Sequence, residues 1–344
     1  MLRHYKAGQP TYNVTVISDG RHNAFPALAY CADRSLFLGY RKASSHTGVD
    51  GTLVAKRSTD NGDTWSAEST IATLASRDLR DPMFTTIGSD LWISYFAYNQ
   101  ATSLGVSVQF QKSADNGATW DTPRVVSDAF SGSHACSAPI VNSGSGVMVM
   151  PVYGIDSTKH LCKLLRSADH GTTWAVHGTI ATNAAWDYTE PYVIKLADNS
   201  LFATIRNNTH DKLYNSTSTD GGATWSALTL AVNPGSGRSS MILNADGVIR
   251  MAYRTSPSTT RLTAVVASAD SGATWTPATP FGTTGIYTYA QWIEPIDGQR
   301  AVGWSEEPAG GWLGSVSAVY FRKTTVWPST LSTGTGLSED TAVP

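Results

Sequence analysis

The chain has 344 residues, 15% of them charged, and a formal net charge of −2. That balance excludes a general binder of nucleic acid or of membrane surfaces, which needs a basic excess. No apolar run is long enough to span a bilayer, so a soluble protein is expected.

In chain order, residues 1–12 are polar and lack the apolar core of a secretory signal. Tyr12 to Ile17 and Thr52 to Arg57 alternate as strands. The second of these runs into Ser58-Thr59-Asp60-Asn61-Gly62-Asp63-Thr64-Trp65, and the same octapeptide pattern recurs at Ser113 to Trp120, Ser167 to Trp174, Ser218 to Trp225 and Ser268 to Trp275. A spacing of roughly 50–55 residues suits one four-stranded propeller blade per copy. The chemistry is that of a hairpin turn: the aspartate bonds nearby amides, the glycine supplies a positive φ, and Thr-Trp re-enters a strand. Leu262 to Ala267 reads as the strand before the last copy. Beyond it, Tyr289 to Glu294, Arg300 to Ser305 and Val316 to Phe321 read as strands of a sixth blade. Tyr12 to Ile17 is expected to pair with that blade and close the ring, which removes the open sheet edges. No long amphipathic helix is visible. The expected architecture is all-β, a single six-bladed β-propeller over residues 1–327, followed by a Ser/Thr/Gly-rich tail at 328–344.

Cys31, Cys136 and Cys162 form neither a close-spaced metal pair nor an even-numbered disulfide framework, and read as buried thiols. With no phosphate loop, dinucleotide fingerprint or metal-ligand spacing, no cofactor and no metal are expected.

The octapeptide resembles the Asp box of the sialidase (neuraminidase) superfamily. In that superfamily the boxes are structural turns away from the active face, so the chemistry has to be sought on the other face. The resemblance implies three arginines for a substrate carboxylate, a tyrosine nucleophile, a glutamate as its base and an aspartate as acid. Thr189-Glu190-Pro191, running on to Arg206, resembles the stretch that carries the glutamate and the second arginine. Thr255-Ser256-Pro257, running on to Arg261, fits the third. Family spacing puts the tyrosine at Tyr289, with Tyr287 as alternate. The first blade departs from the pattern: Ala24-Phe25-Pro26 stands where the family has Arg-Ile-Pro, so the first arginine is missing. Tyr40-Arg41 resembles the pair before the acid loop. The acid position falls on His46, with Asp50 as the nearest carboxylate. Arg80, in Arg80-Asp81-Pro82, is similar to the second-blade start of bacteriophage endosialidases. It reads either as a further carboxylate ligand or as an ion pair with Asp78 or Asp81. His134 begins the third blade within reach of a central pocket, whereas His160, His170 and His177 read as solvated.

The resemblance implies a glycoside hydrolase acting on sialic-acid-type or related acidic oligo- or polysaccharides, with Glu190, Tyr289 and His46 or Asp50 catalytic. Arg206, Arg261, Arg41 and Arg80 would bind substrate. Two other classes stay open: a uronate lyase using His46 and Tyr289, and a glycan-binding propeller without turnover. No nucleic-acid or membrane partner is expected. Oligomeric state and compartment, secreted or virion-associated, are left open.

Overall fold

In the computed structural model, which describes residues 13–255, 263–281, 286–293, 300–307 and 317–324, every octapeptide closes on itself through the same hydrogen bonds. In the second copy the Ser113 hydroxyl donates to Asp115 Oδ1 at 2.7 Å, and the Gly117 amide donates to Ser113 Oγ at 2.7 Å. The Thr119 amide reaches Asp115 Oδ1 at 2.8 Å, and its hydroxyl reaches Oδ2 at 2.6 Å. The Thr119 hydroxyl and amide, with the Ser113 hydroxyl, hold the Asp115 carboxyl down at about 2. The Ser, Asp and Thr side chains of each turn thus pair with one another and with the turn's own amides.

The glycine of each turn is then free to abut the preceding blade. A Cβ on Gly62 would lie 2.1 Å from the Phe321 ring, on Gly117 2.2 Å from Phe37, and on Gly171 2.6 Å from Trp92. On Gly222 it would lie 2.1 Å from Leu164, and on Gly272 2.3 Å from Phe202. All five glycines have φ between 77° and 96°. The turn's indole crosses the same seam, as in Trp65 against Phe321 at 5.2 Å and Trp120 against Phe37 at 5.9 Å between ring centroids. The repeat therefore acts as the joint between blades.

Six antiparallel sheets result, and no helix occurs among the described residues. The inner strands, each the first of its blade, are His22–Tyr30, Asp78–Ile87, His134–Ala135, Tyr188–Lys195, Ser236–Leu243 and Ile286–Ile293. Second strands such as Leu36–Ala43 and Leu201–Asn207 are buried along nearly their whole length, because each sheet packs between two others. Fourth strands such as Ser69–Ala72 are short and largely exposed. In the third blade, Val141–Gly144 also pairs with Val147–Asp156, so the innermost position is shared by two short strands.

The sixth blade takes its outer strand from the other end of the chain. Asn13–Ile17 pairs antiparallel with Ala318–Thr324, from Asn13 opposite Arg322 to Ile17 opposite Val319. Ring closure by the N-terminal strand thus occurs as the sequence implied. Strands run from Asn13 to Thr324; the expected tail at 328–344 lies outside the described residues. The three cysteines are buried and unpaired.

The close approach of the turn glycine to the preceding blade implies a contrast within one turn. Gly222→Ala drives its new methyl into Leu164 and should cost on the order of 2–3 kcal/mol. Gly221→Asn should be nearly neutral, because nothing lies within 4 Å and asparagine holds the same position in the first two copies at φ 62° and 59°. Thermal denaturation of the two variants checks this; equal losses would contradict the jointing role.

Candidate active site

Five of the six inner strands carry a bulge at the same height. Between Ala24, opposite Arg41, and Ala27, opposite Gly39, the inner strand of blade one has one residue more than its neighbour. The same occurs from Arg80 to Met83, from Thr189 to Tyr192 and from Thr288 to Gln291; from Ser236 to Ser240 the excess is larger. Phe25, Asp81 and Glu190 sit in these bulges at φ 56°, 50° and 50°, a region non-glycine residues enter at a cost. Pro26, Pro82 and Pro191 follow, so the residue after each bulge residue has no amide hydrogen to leave unpaired at the bend. The fifth blade solves the same problem with Gly237 at φ 72°. Side chains of Phe25, Asp81, Glu190, Arg238 and Tyr289 are thereby delivered to one central basin.

Tyr289 and Glu190 meet there, 99 residues apart in the chain: the phenol hydroxyl donates to Glu190 Oε1. Arg206 Nη1 donates to Glu190 Oε2 at 3.0 Å. Burial first, and then the Glu190 charge, push the Tyr289 hydroxyl above its ordinary pKa, while Arg254 and Arg206 oppose the rise. Two further guanidiniums face the tyrosine ring, Arg238 at 5.0 Å and Arg254 at 5.6 Å from its centroid. Arg254 is steadied by the Ser236 hydroxyl, which accepts from its Nε at 3.2 Å. Phe25 packs on the same phenol at 5.7 Å. Tyr153, whose hydroxyl is raised by burial and then by the charges of Glu190 and Asp81, completes the third-blade side.

The first-blade loop brings His46 against Phe25, with ring centroids 5.8 Å apart, and edge-on to His22 at 5.3 Å. Burial, then the positive charge of Arg80 and its neighbours, lower the imidazole to about 3, so it is neutral at neutral pH. The loop is strapped down by a buried relay. Arg41, 0% exposed, donates to both oxygens of Asp78 at 2.6 and 2.9 Å, to the Ser45 carbonyl at 3.0 Å and to the His46 carbonyl at 3.4 Å. Its Nη1 lies 3.0 Å from His22 Nδ1. Arg80 donates to Asp78 at 2.6 Å and to the His46 carbonyl at 2.9 Å, and stacks over Tyr98.

Expected as a ligand of substrate, Arg41 is instead a support of the His46 loop, because its donors are consumed inside the protein. Arg80 serves the same relay through the ion pair with Asp78. Asp50 is well exposed, pairs with Arg21 at 2.8 Å and accepts from the Ser44 amide and hydroxyl. It shapes the loop's outer side and makes none of its hydrogen bonds with the tyrosine cluster. Arg261 lies outside the described residues. His134 accepts at Nε2 from the Phe130 amide at 3.2 Å.

Groups not singled out from the sequence complete the basin. Asp81 is 5% exposed and its Oδ1 has no hydrogen-bond partner. Burial pushes its carboxyl up to about 7, against the lowering effect of Arg238. Arg238 is 1% exposed, and its Nε and Nη2 are also without partners. Asp81-Pro82 repeats Glu190-Pro191, a signal visible in the sequence. Arg254 faces Ser236 just as Arg206 faces Thr189, each opposite the residue before a bulge, a relation that only the strand registers reveal. Arg238 carries no such mark.

The chain belongs to the BNR repeat-like domain family, which matches residues 35–300. No curated protein sequence matches it. Among solved structures it is similar to a protein of unknown function from Dyadobacter fermentans, 17% identical, covering 90% of this chain and 97% of that one at a TM-score of 0.76. The intramolecular trans-sialidase from Ruminococcus gnavus, in complex with oseltamivir carboxylate, is 12% identical, with 89% and 96% covered and a TM-score of 0.72. An α-L-arabinanase from Penicillium chrysogenum is 16% identical, with 92% and 98% covered and a TM-score of 0.67. The fold is a sialidase-type six-bladed propeller.

The two shifted groups predict opposite pH effects. His46 titrates lower in the folded chain than the usual 6.5, so its contribution to stability is present above 6.5 and lost as pH falls toward 3. Imidazole NMR shifts should show it neutral down to about pH 4; a midpoint above 6 contradicts its burial. Asp81 titrates higher than 3.8, so its contribution is greatest below 4 and is lost as pH rises through 7. Asp81→Asn should therefore stabilise the protein at pH 8, by on the order of 2 kcal/mol, and far less at pH 4. Denaturant melts at the two pH values check this.

Proposed function

We propose that this chain hydrolyses the glycosidic bond of a sialic-acid-type or related acidic glycan, with Tyr289 as nucleophile and Glu190 as its base. The observation that carries this reading is the Tyr289–Glu190 hydrogen bond, backed by Arg206 on the second carboxylate oxygen. A phenol raised above its ordinary range is neutral at rest, so it gains nucleophilicity only if a base in contact removes its proton as the new bond forms. Glu190 is that base. The bond from the anomeric carbon to the leaving oxygen breaks, the Tyr289 oxygen bonds to that carbon, and the phenol proton passes to Glu190, while the departing oxygen leaves as an anion and takes a proton from solvent. In the second half, water attacks the anomeric carbon, Glu190 returns its proton to the released tyrosine oxygen, and the proton lost by the water passes to solvent.

The acidic substrate class is supported by electrostatics. Arg206, Arg238 and Arg254 surround the phenol in a chain of net charge −2, so the positive potential is a local feature. Guanidiniums gathered in a largely dry basin favour an anionic sugar. His46, held neutral, offers the departing oxygen a hydrogen bond rather than a proton from imidazolium. Leaving groups of low basicity should therefore react best.

Two measurements test this. Glu190→Gln and Tyr289→Phe should each lower kcat on an aryl sialoside by about a thousandfold or more while the fold is retained. His46→Asn should slow sialyllactose more than the aryl sialoside. Digests of polysialic acid and uronate polymers, read by reducing ends and by ultraviolet absorbance, separate the classes. A new chromophore would indicate a lyase, and binding without release a lectin; either result removes the hydrolase reading.

A further inference from the structure

We infer that the cleft between blades three and four, at the Asp-box end of the ring and away from the basin, is a second ligand site. It takes a sugar-sized molecule carrying a tetrahedral oxyanion, a phosphate or sulfate ester. This goes beyond the reading above and does not rest on it.

The cleft holds about 400 Å³. Gly144 and Val147 line it from the innermost hairpin of blade three, Arg166 and His177 from the two outer strands of that blade, and Asp220 and Gly221 from the turn of blade four. Blade three builds its side of the cleft with an extended outer strand. Ala175–Ala181 has seven residues, against three or four in the outer strands of blades one, two, four and five. Outer strands of blades one, three and four each carry one surplus apolar residue, Ile71, Ile180 or Ala231. Blade three adds a second, His177, between Val176 opposite Leu165 and Gly178 opposite Leu164. A bulge of this kind re-aims the extra side chain, and His177 lines the cleft. Gly178 beside it lets the strand reach blade four, since a Cβ there would lie 2.1 Å from the Gly222 carbonyl oxygen.

Blade four leaves the facing side open. The residue before the joint glycine is Asn61, Asn116, His170 or Ser271 in the other turns and Gly221 here. Nothing lies within 4 Å of a Cβ built on Gly221 or on Gly144. In the third turn the equivalent His170 instead covers Gly146, its ring 2.6 Å from a Cβ built there.

The basic groups of the cleft are not spent on the protein. Among the described residues the side chains of Arg166 and His177, both half-buried, make no hydrogen bond, ion pair or ring contact. Asp220, by contrast, is occupied by its own turn. Its Oδ1 accepts from the Ser218 hydroxyl at 2.7 Å and the Thr224 amide at 3.0 Å, and its Oδ2 from the Thr224 hydroxyl at 2.5 Å. Lys195 Nζ donates to the carbonyl of Ser143, another lining residue, at 3.3 Å, so a second cation stands at the same wall. A guanidinium, an ammonium and an imidazole thus come from three separate strands. Donors arriving from different directions suit an ion with oxygens on several sides better than a planar carboxylate. The volume exceeds that of a bare ion and lies in the range of small-molecule pockets. Val147 offers an apolar patch to the C–H face of a ring.

Calorimetry on the full chain with glucose 6-phosphate, glucose 6-sulfate, glucose and inorganic phosphate tests this. At least one ester should bind about tenfold or more tightly than glucose or inorganic phosphate, and the tighter ester identifies the anion. Arg166→Gln should weaken that binding by about tenfold or more, and Arg166→Lys by less. Gly221→Asn, expected to leave the fold equally stable, should fill the cleft and abolish binding. Glu190→Gln should bind the ester as the wild type does. No ester binding at about 10 mM overturns the inference, as does equal binding of glucose or of inorganic phosphate. So does unchanged affinity in Arg166→Gln or Gly221→Asn, or loss of ester binding in Glu190→Gln, which would put the ester in the basin. A chain that binds the ester through Arg166 and cleaves no glycan keeps this site and loses the hydrolase reading. Hydrolysis without ester binding does the reverse.

Discussion

One surplus residue in each of several inner strands determines where the chemistry of this protein is located. A regular strand at the wall of a propeller alternates its side chains between the two neighbouring blades and offers the axis little more than backbone. Inserting a residue opposite an unbroken partner turns a side chain out of that alternation and toward the axis. Phe25, Asp81, Glu190 and Tyr289 are such residues, and Arg238 is their counterpart in the fifth blade. The bend costs free energy, on the order of 1–3 kcal/mol for each non-glycine residue held at positive φ. A closed ring of buried sheets can hold such strain where an open sheet with free edges would relax it.

The opposite end of the blades carries the compensating stability. There the Ser, Asp and Thr of each turn satisfy one another, and the glycine and tryptophan join one blade to the last. None of those turn residues shares a hydrogen bond with the basin. The division keeps the unpaired groups of the basin, Asp81 Oδ1 and Arg238 Nε and Nη2 among them, apart from the turns in which Ser, Asp and Thr are paired. The Arg41–Asp78–Arg80 relay is a structural ion network that reaches the basin. Its product is the fixed backbone beneath His46 rather than a contact with anything bound there.

The architecture was legible because its signal is local and repeated: five turns of one spelling, plus a first strand that had to pair with something. Glu190, Arg206 and Tyr289 were legible through resemblance, and the structure brings these three together. His46 also enters the basin, but its neutrality follows from burial and from charges on other blades, which no local spacing reveals. Arg41 looked like a ligand because the residue type is right; only the three-dimensional partners show that its donors are consumed. Asp50 looked like an acid for the same reason and lies on the wet side of its loop. Asp81 carried the same following proline as Glu190, whereas Arg254 follows a rule that spans blades, the residue facing a bulge, which appears only once registers are aligned. Arg238 depends on an oversized bulge with no proline to announce it.

A half-buried phenol with a carboxylate in contact performs the displacement in the proposed reaction. A 3-fluorosialosyl fluoride, which forms a glycosyl bond readily and loses it slowly, tests that most directly when followed by intact mass and peptide mapping. The account predicts one adduct per chain, on the peptide carrying Tyr289, with none in Glu190→Gln on the same timescale. Turnover of the reagent with no adduct, or an adduct on the peptide carrying Asp81 or Glu190, would contradict it.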